Sequence, residues 1–185
     1  SIALNMHSMK SDIDLAVYGS QNFRKLEKTI DRLEREKVLR HLFSTRLDRL
    51  RKHRGRYKGA VFMVNAVRRI EEVTTIYGNY KYIPVRSVTF RCEVIDDTEA
   101  MFRPAIYQIK NYQPMNSLSE LADNEIPKTV VSMIGYYRNI ARKGNKLMVS
   151  GTLERVQNTE NGRVHYQVVV GTGKQEDEYM RPIRD

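Results

Sequence analysis

The stretch that decides the fold reads SDIDLAVYG and occupies residues 11–19. Its two aspartates, Asp12 and Asp14, lead into apolar residues, which predicts a short strand ended by a glycine. Side chains alternate between the two faces of a strand, so both carboxylates are expected on one face. Carboxylates this close repel each other unless a cation lies between them. Their oxygens suit a hard ion such as Mg²⁺ or Mn²⁺. The alternative is a solvated turn before an ordinary strand.

The residues before this strand extend the pattern. Ser1 stands eleven positions before Asp12, Ser11 directly precedes the aspartates, and residues 2–9 have the length of a short helix and turn. This arrangement resembles the signature of the DNA polymerase β-like nucleotidyltransferase superfamily, where a Gly-Ser turn opens a helix and an Asp-x-Asp strand follows. The glycine of that signature is absent and the chain begins without methionine. We therefore expect the protein to start further upstream.

The resemblance implies a nucleotidyltransferase that moves a nucleoside monophosphate from a nucleoside triphosphate to an acceptor hydroxyl. Asp12 and Asp14 would then be the catalytic residues and the ligands of Mg²⁺ or Mn²⁺, which neutralises charge on the triphosphate. Ser1 and Ser11 would bind the nucleotide. The acceptor stays open between an RNA or DNA end, a protein side chain and a small molecule.

The chain departs from the superfamily pattern at the third carboxylate, which is usually placed on a later strand. The next predicted strand, residues 60–67, offers Asn65 and no acid. Glu93 and Asp97, on or just after the predicted strand at residues 87–95, are the candidates for the missing carboxylate. If neither serves, the site is impaired, and the alternative function is a non-catalytic nucleic-acid-binding protein.

Positive charge is concentrated in one segment of the chain. The formal net charge is +10, and residues 24–58 hold 14 Lys and Arg against 5 Asp and Glu. Such a segment attracts polyanions, which predicts RNA or DNA as a partner. The alternatives are a solvated helical face or a surface that binds an acidic protein. The predicted nucleic-acid-binding residues are Arg46, Arg49, Arg51, Lys52 and Arg54.

Helical periodicity follows the aspartate strand. Apolar residues recur at spacings of three and four from Phe23 to Leu33, and the pattern resumes after a phase shift near Lys37. This predicts two helices, or one kinked helix, over residues 21–53.

The remainder of the chain predicts strands. Apolar residues alternate with polar ones from Val88 to Val94, as in a half-buried strand. Short strands with glycine corners predict a small barrel, with the oligonucleotide-binding type as the candidate. The predicted fold class is therefore α+β. A polymerase β-like nucleotidyltransferase domain at 1–75, a mixed sheet with helices on one side, precedes a β-rich barrel-like domain at 76–175 and a flexible tail at 176–185.

Composition limits the setting of the protein. The single cysteine, Cys92, excludes an intramolecular disulfide and favours a reducing compartment, so we predict a cytoplasmic protein. Cys92 alternates with apolar neighbours and is expected in the core. No apolar run approaches the roughly 20 residues that cross a bilayer, which predicts no membrane partner. The sequence leaves the oligomeric state open.

Overall fold

The computed structural model describes residues 13–42, 54–73, 78–173 and 177–183. The chain divides into two compact units, residues 1–72 and 73–185. Each unit has its own mixed β-sheet.

The first unit is built on a four-stranded sheet. Its elements are β1 (Ile13–Tyr18), α1 (Ser20–Arg35), β2 (Arg40–His41), β3 (Arg54–Tyr57) and β4 (Ala60–Val67). The spatial order is β1-β4-β3-β2, with β1 parallel to β4 and the other neighbours antiparallel. Parallel neighbours need a long crossover connection, and here it contains α1, β2 and β3.

Helix α1 covers one face of this sheet. Phe23 and Ile30 of the helix and Val64 of β4 are buried, and the helix contacts β1 and β4. Because side chains alternate along a strand, Met63 and Asn65 point away from the face of Val64. The helix therefore packs on the Val64 face, and the opposite face carries Asp14, which is exposed.

Helix α1 ends where the sequence pattern changes phase. Lys37 adopts a left-handed conformation with φ 60°, and the N–H of Val38 donates to the carbonyl of Leu33 at 2.9 Å. This closure is a Schellman motif, which turns the chain out of the helix. The chain then enters β2, so the prediction of helix throughout residues 21–53 is wrong at Arg40–His41. Residues 43–53 of that prediction lie outside the described residues.

The second unit is a barrel. Its strands are β5 (Tyr80–Asp96), β6 (Ala105–Pro114), β7 (Thr129–Ser132), β8 (Lys146–Asn158), β9 (Val164–Val170) and β10 (Tyr179–Ile183). The order is β10-β8-β5-β6-β7-β9, and β8 also pairs with β9, which closes five strands into a ring. Strands β7 and β9 are parallel, whereas the other neighbours are antiparallel. This five-stranded closed ring is compatible with the predicted barrel of the oligonucleotide-binding type.

The barrel core includes the apolar residues of β5 whose alternation predicts a half-buried strand. Val88, Phe90 and Val94 of β5 are buried, together with Tyr107 of β6 and Leu147 of β8. Cys92 is buried among them, and burial raises the pKa of its thiol to about 12. The thiol is therefore protonated at neutral pH, as expected of a core residue rather than a nucleophile.

The predicted α+β fold class is wrong. The described chain is mostly strand, in two mixed sheets, with one α-helix among the described residues. The physical reason is the turn at Lys37, because the segment that follows joins the sheet as β2 instead of continuing as helix. The predicted tail at 176–185 contains β10, which pairs with β8. No helix among the described residues has the length and apolar character to cross a membrane.

Candidate functional site

Asp14 lies in a row of residues that crosses the sheet of the first unit. It is level with Met63 on β4, and Met63 is level with Arg54 on β3. Residues level with each other on neighbouring strands point to the same face. Since neighbouring strands are about 4.8 Å apart, the backbones of Asp14 and Arg54 are separated by roughly 10 Å. A carboxylate and a guanidinium therefore belong to one face, two strands apart.

Further members of this face follow from the register. Asn65 is level with Ala16, and Arg56 is level with both Val61 and Arg40. We call the surface formed by these side chains the Asp14 face; its members are Asp14, Ala16, Arg40, Arg54, Arg56, Val61, Met63 and Asn65. Its described charged residues are one aspartate on β1 and three arginines on β2 and β3. The face thus has an acidic side and a basic side.

The arginines are held by a tight hairpin. Lys58 and Gly59 form the two-residue connection between β3 and β4, with φ values of 44° and 91°. Positive φ at both positions is typical of the turns that match the twist of paired strands. Arg54 and Arg56 are therefore two residues apart on a strand. The signal that sequence reasoning missed is the alternation of arginines in Arg54–Tyr57.

The carboxylate of Glu72 holds the start of α1. Its Oε1 accepts hydrogen bonds from the backbone N–H of Ser20 at 2.8 Å and from the Ser20 hydroxyl at 2.9 Å. Its Oε2 accepts from the N–H of Arg69 at 2.9 Å. The N–H groups of Arg69 and Ser20 hold the pKa of Glu72 below its usual value. Glu72 is thus engaged at the start of α1, where a negative charge complements the helix dipole.

Replacing Glu72 by glutamine is expected to destabilise the first unit by up to about 1 kcal/mol at pH 7, the range of a helix cap. The folded-state pKa of Glu72 is depressed, so its contribution is present at neutral pH and is lost as the pH falls through that pKa, below 4.5. Urea unfolding at pH 7 and pH 3, followed by the helical circular-dichroism signal, measures both values. The difference in stability between wild type and variant should be smaller at pH 3 than at pH 7.

The matched control for this prediction is Glu71→Gln. Glu71 is an exposed neighbour whose carboxylate lies 3.7 Å from Nη1 of Arg69, and surface pairs of this kind contribute little. A Glu71→Gln variant that loses as much stability as Glu72→Gln would contradict the capping role.

The structure describes two of the predicted unit-one site residues, Asp14 and Arg54, and places them on the same face. Arg54 lies on β3 rather than at the end of a helix. The other predicted residues of this region lie outside the described residues: Ser1, Ser11, Asp12, Arg46, Arg49, Arg51 and Lys52.

The candidates for a third carboxylate belong to the second unit. Glu93 on β5 pairs with Nζ of Lys110 at 3.1 Å and accepts a hydrogen bond from Asn111 at 3.1 Å. Asp97 lies 3.7 Å from Nη1 of Arg142 and accepts from the N–H of Lys143 at 3.2 Å. Each carboxylate therefore has cationic or amide neighbours within its own unit.

The donor atoms on the Asp14 face suit a hard cation. Asp14 offers an exposed carboxylate, and Asn65, diagonally across on β4, offers an amide oxygen. Mg²⁺ binds through one or two carboxylates and keeps water or phosphate oxygens as its other ligands. The described residues contain no group of three His, Cys, Asp or Glu that could hold a metal. Among the described residues, a cation here would have Asp14 as its carboxylate ligand, and water or substrate oxygens would complete its shell.

The barrel carries a groove of about 770 Å³ on its outer surface. Ile106, Val131 and Val169 lie level with each other along it and alternate with core residues of the same strands. Other residues that line it are Tyr80, Tyr82, His165 and Gln167. Burial raises the pKa of Tyr82 and lowers the pKa of His165. Both side chains are therefore neutral at pH 7, and the groove presents aromatic, apolar and hydrogen-bonding groups.

Comparison with known proteins gives one distant relative. No family model and no solved structure matches the chain. The chain is similar to the uncharacterized protein MJ1086 of Methanocaldococcus jannaschii, with 24% identity over 203 residues. The match covers 98% of this chain and 56% of that protein. The chain thus spans about half the length of the curated relative that it matches.

Proposed function

We propose that the first unit carries a Mg²⁺-dependent nucleotidyltransferase site that uses a nucleoside triphosphate as donor. The observation that carries the proposal is the placement of Asp14, exposed on a strand whose other face is covered by α1. The same face bears Arg54 and Arg56, so one surface offers both a ligand for a cation and partners for phosphate.

The roles of the residues follow from their chemistry. Asp12 and Asp14 would hold the cation, and Ser1 and Ser11 would contact the nucleotide. The cation would neutralise charge on the triphosphate during transfer to an acceptor hydroxyl. The concentration of positive charge in residues 24–58 favours a nucleic-acid acceptor.

Calorimetric titration of each of the four nucleoside triphosphates, with and without Mg²⁺, tests the proposal. Wild-type protein should bind at least one of them only when Mg²⁺ is present. Asp14→Asn keeps the shape of the side chain and removes its charge, so it should weaken that binding by at least about tenfold. Asp123→Asn, an exposed aspartate of the second unit, is the control that should leave binding unchanged.

Other outcomes of this titration would overturn the proposal. Nucleotide binding that is independent of Mg²⁺, or that is equal in wild type and Asp14→Asn, would show that Asp14 does not hold a cation for the nucleotide. The absence of binding to folded wild-type protein would have the same consequence.

The second candidate function is a nucleic-acid-binding protein without catalysis. The barrel favours it, because barrels of this type bind oligonucleotides on one outer face and the groove there exposes the rings of Tyr80 and Tyr82. Asn65, in place of an acid on the second strand of the site, also favours it. In that case RNA binding should persist in Asp14→Asn, and no Mg²⁺-dependent triphosphate binding should be measurable.

A further inference from the structure

Two arginines face each other at the basic side of the Asp14 face. Arg40 on β2 and Arg56 on β3 are directly level in an antiparallel pair, and both side chains are exposed. Like charges at opposite positions of neighbouring strands repel each other and destabilise the pair. Their register neighbour on β4 is Val61, which offers no compensating charge. An anion between the two guanidinium groups would turn this repulsion into attraction.

Arg54 adds a second, independent sign of an anion. It is half-buried, and its Nε is buried without a hydrogen-bond partner in the part of the chain that the structure describes. A buried donor without an acceptor is costly, and a guanidinium keeps its charge in proteins. Its register neighbour on β4 is Met63, whose thioether is at most a weak acceptor. Arg54 therefore presents unused donor capacity on the same face as Arg56.

Gly55, between Arg54 and Arg56, allows close packing on the other face of β3. A β-carbon at this position would lie 2.5 Å from Cζ of Phe62 and 3.2 Å from the carbonyl oxygen of Arg40. Only glycine therefore allows β2 and the Phe62 ring to approach β3 this closely. The register of β2 and β3 places Arg40 and Arg56 opposite each other on the face away from Phe62.

We propose that Arg54, Arg56 and Arg40 bind the phosphates of the nucleoside triphosphate, at the opposite side of the face from Asp14. This inference rests on the proposed function for the identity of the ligand. Guanidinium groups bind phosphate through paired charged hydrogen bonds. The backbone of Arg56 lies about 5 Å from that of Arg40 and about 7 Å from that of Arg54, and Arg40 and Arg54 are diagonal neighbours about 8 Å apart. That small area matches the closely linked phosphates of a triphosphate.

The row from Asp14 to Arg54 predicts how the bound nucleotide is oriented on the sheet. The backbones of Asp14 and Arg54 are roughly 10 Å apart across β4, and their side chains would extend toward each other over Met63. The cation held by Asp14 would contact one part of the phosphate chain, and the arginines would contact another part. The nucleotide would therefore lie across the strands and over Met63, rather than along β1.

The test uses inorganic tripolyphosphate without metal, titrated into the full chain. Wild type should bind it in a salt-sensitive manner, because charge dominates the interaction. Arg56→Gln and Arg54→Gln should each lower the affinity by about tenfold, the effect of losing a charged hydrogen bond. Arg163→Gln, an exposed cation of the second unit, removes the same charge and should leave the affinity within about twofold of wild type.

Asp14→Asn separates this inference from the proposed function. Without metal it should leave tripolyphosphate affinity unchanged or slightly higher, since a negative charge is removed from the face. If Asp14→Asn does not weaken Mg²⁺-ATP binding but Arg56→Gln weakens tripolyphosphate binding, the transferase proposal fails and the anion site stands. Equal tripolyphosphate binding by wild type, Arg54→Gln and Arg56→Gln, or none by wild type, overturns the anion site.

A single-stranded RNA oligonucleotide distinguishes the two sources of phosphate. If Arg56→Gln weakens RNA binding and leaves tripolyphosphate binding intact, the arginines contact a nucleic-acid backbone and the triphosphate assignment is wrong. Arg56 is exposed, so its substitution is expected to leave the fold intact, and circular dichroism checks this for both variants. Arg56→Gln therefore decides the test even if the half-buried Arg54→Gln fails to fold.

Discussion

Replacement of Gly151 by alanine is expected to lower the free energy of unfolding of the barrel by about 3 kcal/mol, the upper end for overpacking a core. Gly151 lies on β8, where that strand pairs with β9 to close the ring. A β-carbon there would clash with the carbonyl oxygen of Val169 and would lie 3.0 Å from side-chain atoms of Val168 and Val170. A backbone carbonyl of a paired strand cannot rotate away as a side chain does. The added methyl group therefore forces β8 and β9 apart.

Urea unfolding of the full chain, followed by circular dichroism and tyrosine fluorescence, measures this effect. Gly135→Ala is the matched control, because its nearest neighbouring atom is 3.5 Å from the added carbon, an ordinary contact. Its stability should stay within about 0.5 kcal/mol of wild type. If Gly151→Ala is as stable as this control, the closure between β8 and β9 is looser than the structure indicates.

Replacement of Phe90 by alanine is expected to cost about 3 to 5 kcal/mol, the range for deleting a fully buried aromatic side chain. Phe90 has no exposed surface. Its ring stacks on Tyr112 with ring centroids 4.5 Å apart, which adds to the energy of burial. The neighbouring strands of the barrel are fixed on both sides, so they can close only part of the cavity. The variant should unfold at a clearly lower urea concentration.

Val85→Ala on the same strand controls for the loss of strand propensity. Val85 is 47% exposed, so its truncation should change stability by less than about 1 kcal/mol. Similar losses in Val85→Ala and Phe90→Ala would show that the strand, rather than the packed ring, determines the stability of the barrel.

The strands of the barrel were largely predictable because the patterns that indicate them lie within short stretches of sequence. Alternation from Val88 to Val94 reports directly which side chains enter the core, and glycine-containing turns mark the ends of strands. The first unit was less predictable. The apolar spacing of α1 continues past Lys37, and a left-handed lysine is a weaker stop signal than a glycine. The sequence therefore favoured more helix than the structure has.

The Asp14 face depends on information that no local pattern contains. Asp14 was a candidate from its spacing to Asp12, and the strand that carries it was predicted at its position. Its relation to Arg54 depends on the register of two pairings, between β1 and β4 and between β4 and β3. A shift of one residue in either pairing would place Asp14 and Arg54 on opposite faces of the sheet. Arg40, Arg54 and Arg56 were therefore not predictable as one cluster.

The pairing of β5 with β8 has a consequence for synthesis of the chain. The two strands pair along nearly their whole length, yet about 50 residues separate the end of β5 from the start of β8. At a translation rate of about 5–20 residues per second, roughly 3–10 s pass between the synthesis of β5 and the synthesis of β8. During that time the edge of β5 that will pair with β8 is unpaired, and strands of other chains can pair with it. Lys81, Arg86 and Arg91 give β5 three exposed cations, and Pro84 interrupts its row of donors. Charged residues and proline on a strand edge oppose pairing with other chains, so β5 carries its own protection during the interval before β8 is made.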